Sequence, residues 1–109
     1  MAQYLNSIAL TSGFALIALF KMQEGKGKDL VEFFLSPKGL DVTRAYKGCI
    51  QFDVLTEVND PDAVRIYEKW ESKEDWDAYI QFRGQSGEMD FLKTMLAAEP
   101  LFVPCVVVG

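Results

Sequence analysis

Val64-Arg65-Ile66-Tyr67-Glu68-Lys69-Trp70-Glu71-Ser72-Lys73-Glu74-Asp75-Trp76 reads as a strand that runs directly into a capped helix. Val64, Ile66, Tyr67 and Trp70 place apolar bulk on both parities, whereas a strand with one wet face alternates strictly, so the sheet that holds this strand needs cover front and back. Ser72 stands where an N-cap belongs, and Asp75 three residues later can return a hydrogen bond. Trp76, Tyr79, Ile80 and Arg83 follow at helical spacing.

Working outward toward the N-terminus, residues 14–22 are apolar at nearly every position between Gly13 and Gly25, which predicts a central strand. Gln23-Glu24-Gly25-Lys26-Gly27 is a turn. A helix begins near Lys28 with Leu30, Val31, Phe33 and Phe34 as its apolar stripe. Ser36-Pro37-Lys38-Gly39 interrupts it; Ser36 as N-cap and Pro37 as first helical residue restart it, with Leu40, Thr43 and Tyr46 inward and an end at Gly48. Residues 49–58 alternate in part, with Ile50, Phe52, Val54 and Val58 on one parity against Gln51, Asp53 and Glu57, the pattern of an edge strand. Asn59-Asp60-Pro61-Asp62 is turn chemistry and makes a hairpin with residues 63–70.

Toward the C-terminus, the helix from Ser72 runs to about Gly84, and Gln85-Ser86-Gly87 breaks it. It resumes over residues 88–98 with Met89, Leu92, Met95 and Leu96 inward, and Pro100 stops it. Residues 101–108 form the last strand, which Pro104 confines to an edge or a bulge because it cannot donate to a ladder. The order β, α, β, β, α, β gives an antiparallel sheet with helices on one face, the α+β ferredoxin-like arrangement, in a single domain over residues 14–109 after an extension over residues 1–13. Two helices cover one face only. The other needs a second sheet, and a two-fold-related copy supplies it, so a homodimer is expected.

Composition narrows the function. A hydrophobic share of 50% is more than a small monomer easily hides, which again points to a second subunit. The net charge of −5 and the absence of any basic run exclude a nucleic-acid or anionic-membrane footprint. No stretch approaches the roughly 18 apolar residues of a membrane span, and the start has no basic n-region of a signal peptide, so it is read as a native extension. Cys49 and Cys105 lie in predicted strands. Buried free thiols suit them and a reducing cytoplasm, with a disulfide open if those strands are neighbours. No GxSxG, Walker, GxGxxG or HExxH pattern occurs.

Three stretches carry a family resemblance: Phe20-Lys21-Met22-Gln23-Glu24-Gly25, Gly48-Cys49 at the entry to the second strand, and Tyr67-Glu68-Lys69-Trp70-Glu71-Ser72-Lys73-Glu74 leading to Asp77-Ala78-Tyr79. Over about residues 14–108 the chain resembles the antibiotic biosynthesis monooxygenase family, small dimeric α+β barrel proteins that include quinol and anthrone oxygenases and haem-degrading monooxygenases. The family typically reads Tyr-Glu-x-Trp-x-Ser before its second helix. The resemblance implies the ferredoxin-like fold and a dimeric barrel. Departures limit the chemistry: the chain has no histidine, and Tyr79 stands where many members have one. The Asn, Trp and His of the haem-degrading branch correspond by spacing to Ala18, Tyr79 and Met89, and none matches. With no imidazole to ligate iron and only two cysteines, no haem, zinc or non-haem iron site is expected, and no cofactor.

Candidate site residues follow, each beside a plainer role. Trp70 and Trp76 line an aromatic slot or pack the core. Tyr67 and Tyr79 act as phenolic acid–base groups or pack with their hydroxyls at the surface. Arg65 and Arg83 hold an anion with their fixed fork of donors, or pair with Glu68, Asp75 or Glu88. Phe20, Phe33 and Phe82, with the other phenylalanines, enclose a pocket between sheet and helices or fill it. One expectation is a cofactor-independent monooxygenase for a small apolar phenol, quinol or anthrone, with Tyr79, Arg83 and Tyr67 catalytic and Trp70, Trp76, Phe20, Phe33 and Phe82 around the substrate. A second is a non-catalytic dimer that binds an apolar or fatty-acid-like molecule with an Arg at the pocket mouth. A third is a dimer with a filled core and no ligand.

Overall fold

The computed structural model describes residues 13–108, so all of the N-terminal extension but Gly13 lies outside the described residues. Four strands, β1 (Phe14–Lys21), β2 (Cys49–Glu57), β3 (Asp60–Trp70) and β4 (Leu101–Cys105), form one antiparallel sheet in the order β2-β3-β1-β4. Between them run α1 (Gly27–Leu35), α2 (Leu40–Ala45), α3 (Lys73–Gln85) and α4 (Glu88–Met95). This is the ferredoxin-like α+β order, with each helical connection broken in two.

The strand-to-helix passage forms as its residues dictate. Ser72 Oγ accepts from the Asp75 backbone N–H at 3.1 Å and starts α3 one residue later. Val64, Ile66, Glu68 and Trp70 are all buried on the helix-covered face. They meet Ala18 and Phe20 of β1, Met22 just after it, Phe52 of β2, Leu30 and Phe34 of α1, Tyr79 of α3 and Met95 of α4 in one core. The other face carries Ile17 and Leu19 of β1, Leu101 and Val103 of β4 and Tyr67 of β3, which pair across the ladders. Leu101 is 60% and Val103 43% exposed there, so this face is apolar and open.

Several boundaries differ from expectation for local physical reasons. Ser36 closes α1 instead of capping the next helix: its N–H and its hydroxyl both donate to Phe33 O, at 3.1 and 2.6 Å. The chain then turns so tightly that a Cβ on Gly39 would lie 2.3 Å from Phe33 O, and α2 can begin only at Leu40. It ends at Ala45, short of Gly48. A bulge between Cys49 and Gln51 throws Ile50 out of the inward parity, leaving it 52% exposed while Phe52 is buried. The hairpin turn is Val58-Asn59, and Asp60, Pro61 and Asp62 belong to β3. Asp62 holds that segment down, accepting from the backbone N–H groups of Gly25 and Gly27 at 3.0 and 2.9 Å and so capping α1 from a distance.

At its end α4 stops at Met95, not near Ala98, because the chain peels away to extend β1: Gln23 N donates to Met95 O and Ala97 N to Lys21 O, at 2.9 and 2.8 Å. β4 is an edge strand, as Pro104 requires, and it ends at Cys105. Cys49 and Cys105 sit on strands at opposite edges of the sheet and are both free thiols, which removes the disulfide.

Candidate functional site

A cavity of about 70 Å3 lies between the sheet and the helices. Phe20, Phe33, Phe34, Phe52, Ile66 and Phe102 form much of its apolar wall, with aliphatic residues and methionines completing it, and its ionisable or polar lining is confined to Glu68, Tyr79, Arg83 and Glu88. Phe20, Met89, Leu92 and Phe102 are shared with a larger groove of about 630 Å3 that runs beside α4 toward Pro100. Those four side chains are therefore the partition between an inner apolar chamber and an open approach.

Arg83 comes from the apolar face of α3, four residues after Tyr79, and is buried. All five of its N–H donors are used. Nε donates to Tyr79 Oη at 2.9 Å, Nη1 to Lys38 O and Glu88 Oε1 at 2.9 Å each, and Nη2 to Gly39 O at 3.1 Å and Thr43 Oγ1 at 2.8 Å. Its Cζ also lies 5.5, 5.4 and 5.6 Å from the ring centres of Phe33, Tyr79 and Phe82. The guanidinium thus bolts the α1–α2 corner to α3 and α4. The expected partner Glu88 is there, but no donor remains for a substrate anion.

Tyr79 and Thr43 share a 2.7 Å hydrogen bond between hydroxyls. Burial raises the Tyr79 phenol above its ordinary range, against the pull of Thr43 and Arg83. For Glu88, burial disfavours the charge, yet the nearby Ser86 hydroxyl, its own backbone N–H and the bonded Arg83 guanidinium favour the carboxylate and leave its carboxyl below the ordinary value. Tyr79 is accordingly a neutral phenol and Glu88 an ionised partner at neutral pH.

Glu68, expected from the sequence only as a surface partner for arginine, is instead a buried acid at the chamber. It points from β3 toward the helices and is 4% exposed. Trp70 Nε1 donates to its Oε1 at 2.8 Å. Trp76 Nε1 is buried with no acceptor at bonding geometry, and its N–H still favours the charged carboxylate of Glu68. Burial outweighs both indoles and pushes the carboxyl up to about 7. The signal was present in the sequence: Glu68 shares its parity with Val64, Ile66 and Trp70, and an acid on the apolar parity of a strand is out of place unless it has work to do.

The other expected site residues divide. Tyr79, Arg83, Phe20 and Phe33 line the cavity. Trp70 is wholly buried one layer behind it, its ring 5.0 Å from that of Tyr79. Trp76 packs on Phe14 at 5.6 Å, and Phe82 stacks on Tyr46 at 5.3 Å, both outside the lining. Tyr67 is on the opposite face of the sheet, directly across from Ile17, and does not meet the cavity. Arg65 is on that face as well and pairs with Glu57 at 2.9 Å. Among the described residues no group of three metal-ligating side chains occurs, and no helix is long and apolar enough to cross a membrane.

A family model described as antibiotic biosynthesis monooxygenase matches residues 13–82. Solved structures of the same fold include a monooxygenase of Streptomyces coelicolor in complex with the ligand nanaomycin D, 20% identical, covering 90% of this chain and 89% of that one at a TM-score of 0.73. A Pseudomonas aeruginosa protein is 16% identical, with 92% and 98% of the two chains covered and a TM-score of 0.73. A conserved protein of Methanosarcina mazei is 17% identical, with 89% and 94% covered and a TM-score of 0.72. Comparison by sequence with curated proteins found no match.

Proposed function

Because the chain belongs to the antibiotic biosynthesis monooxygenase family, we propose that it is a monooxygenase that oxidises a small electron-rich aromatic, a quinol or anthrone, with O2 and without a cofactor. The observation that carries this reading is the apolar, aromatic-walled chamber whose polar lining is confined to Glu68, Tyr79, Arg83 and Glu88. Such a chamber strips water from a substrate and orients it, while the polar cluster meets the oxygen-bearing edge. For an anthrone the reaction turns a ring CH2 into C=O; one atom of O2 enters the product and the other leaves as water with the two hydrogens.

Size sets how the substrate lies. The chamber is about half of the ~150 Å3 apolar cavity that takes a benzene, so even one ring is seated only when the Met89 and Phe102 side chains yield and join the chamber to the groove. The reacting ring enters past Met89 and Phe102 while the remainder occupies the groove. Of the three residues expected to be catalytic, Tyr79 contacts the substrate. Arg83 positions Tyr79 and touches no substrate, and Tyr67 belongs to the sheet face away from the site. The fatty-acid alternative loses its anchor, since Arg83 has no donor to offer a carboxylate.

The experiment is oxygen consumption with 1,8-dihydroxyanthrone and a panel of hydroquinones. One O2 per anthrone oxidised is expected, with turnover falling about tenfold or more when Phe102 is replaced by a Trp that plugs the entrance. No enzyme-dependent uptake across the panel would remove the reading.

The proposal includes a homodimer. Ile17, Leu19, Leu101, Val103 and Tyr67 make an open apolar sheet face, and a second copy of the chain covers it with the same face. Val103→Asp puts a charge in that contact and is expected to shift the protein from dimer to a 12.3 kDa monomer in sedimentation. A wild-type monomer at micromolar concentration would contradict the dimer. The free thiols of Cys49 and Cys105 suit the reducing cytoplasm in which we place it.

A further inference from the structure

We propose that Glu68 is the proton acceptor of this chamber: its carboxylate takes the proton from the hydroxyl or acidic ring methylene of an electron-rich aromatic seated between Tyr79 and the phenylalanine wall. The inference rests on the monooxygenase reading for its substrate class. It assigns the role to a residue on β3, whereas the family resemblance points to the second helix.

Elimination among the groups that line the chamber or sit beside Glu68 carries it. On α3, Arg83 is a cation with every donor committed, and Tyr79 has its hydroxyl engaged by Arg83 and Thr43 and its phenol raised by burial. On α4, Glu88 is paired with Arg83 and held below the ordinary carboxyl range, which makes it a weak base. On β2, burial first and then the Glu68 charge raise the half-buried Cys49 thiol, so it stays protonated. From α1 and β1, Leu30, Phe33, Phe34 and the cross-strand neighbour Leu16 present hydrocarbon only. Glu68 remains: it lines the chamber, is desolvated, and is steadied by the Trp70 indole.

Two carboxyls in one chamber, one held low and one pushed up, divide the labour between a fixed charge and a proton carrier. The desolvation that lifts Glu68 toward neutrality is also what makes its ionised form a strong base there. In the step itself the substrate O–H or C–H bond breaks, its electron pair stays on the aromatic as a phenolate or carbanion, and the proton forms the O–H of Glu68. No oxidant takes part until O2 meets the anion.

Anaerobic binding of 1,8-dihydroxyanthrone separates this step from oxygenation. With O2 excluded, the wild type is expected to convert the bound probe to its coloured anion at about pH 7.5, without releasing the proton to a weakly buffered indicator. Glu68→Gln, folded by its melting curve, is expected to bind the probe within about threefold of wild type and to leave at least ~90% of it neutral. Ionisation by Glu68→Gln equal to wild type, or binding by wild type without ionisation, overturns the proposal. Intact ionisation without product in air would instead sink the monooxygenase reading and leave the proton acceptor standing.

Discussion

Arg83→Ala should destabilise the fold by about 3–5 kcal/mol, the usual cost of removing one member of a buried ion pair. The substitution strands the Glu88 carboxylate, one oxygen of which is already buried without a partner. It also takes the donors away from Lys38 O, Gly39 O, Thr43 and Tyr79. A domain of this size has only about 5–15 kcal/mol of total stability, so the variant should lose a large part of its urea midpoint. Arg83→Lys keeps the charge but cannot reach five acceptors from a single ammonium, and should recover less than half of the loss. A loss below about 1 kcal/mol for Arg83→Ala would mean that the cluster is not formed in solution. Because the residue holds the helical layer together, its variants report on activity only under conditions where they remain folded.

The second large effect is on stability against pH. Glu68 titrates at about 7 in the folded chain against an ordinary value of 4.5. Between those values the folded state holds a proton that the unfolded state has released, so stability falls as pH rises from about 4.5 to about 7 and is level beyond. The loss amounts to roughly 3 kcal/mol at 1.36 kcal/mol per unit. Glu68→Gln stays neutral and can still accept from Trp70. It should match wild type at the acid end and exceed it by that amount above about pH 8, equivalent to roughly 10 °C or more in melting temperature. Parallel melting curves over the whole range would show that Glu68 is ionised in the fold as in the unfolded chain.

This pattern explains why a functional carboxyl can persist where it costs stability. A neutral Gln would serve the core better at every pH above about 4.5, where the unfolded chain has released its proton, so the acid at this position costs stability. It also shows what could be read from the chain alone. The β3-to-α3 passage was legible because capping and periodicity are local: Ser72 and Asp75 are three residues apart, and Trp76, Tyr79, Ile80 and Arg83 repeat on one face. The fold followed from element order, and the uncovered sheet face followed from apolar residues on both parities of β1.

The site was half legible for the same reason. Apolar bulk on both parities of residues 64–70 concealed which parity met the helices, and Tyr67 and Glu68 were thereby exchanged: the tyrosine lies on the open face and the acid on the chamber. Arg83 stands out in the sequence and lines the chamber, but its saturation by the carbonyls of Lys38 and Gly39 depends on a corner more than forty residues away in the chain, which no local pattern encodes. The Cys49/Gln51 bulge and the extension of β1 by residues after α4 are likewise set by strand pairing, not by the residues that make them.

The most direct measurement of the central claim, a carboxyl poised near neutrality at the wall of an apolar chamber, is a difference infrared titration of wild type against Glu68→Gln. A protonated carboxyl stretch present in wild type alone, disappearing with a midpoint at about 7, is the expected result. A midpoint near the ordinary 4.5, or no band that depends on Glu68, would contradict it.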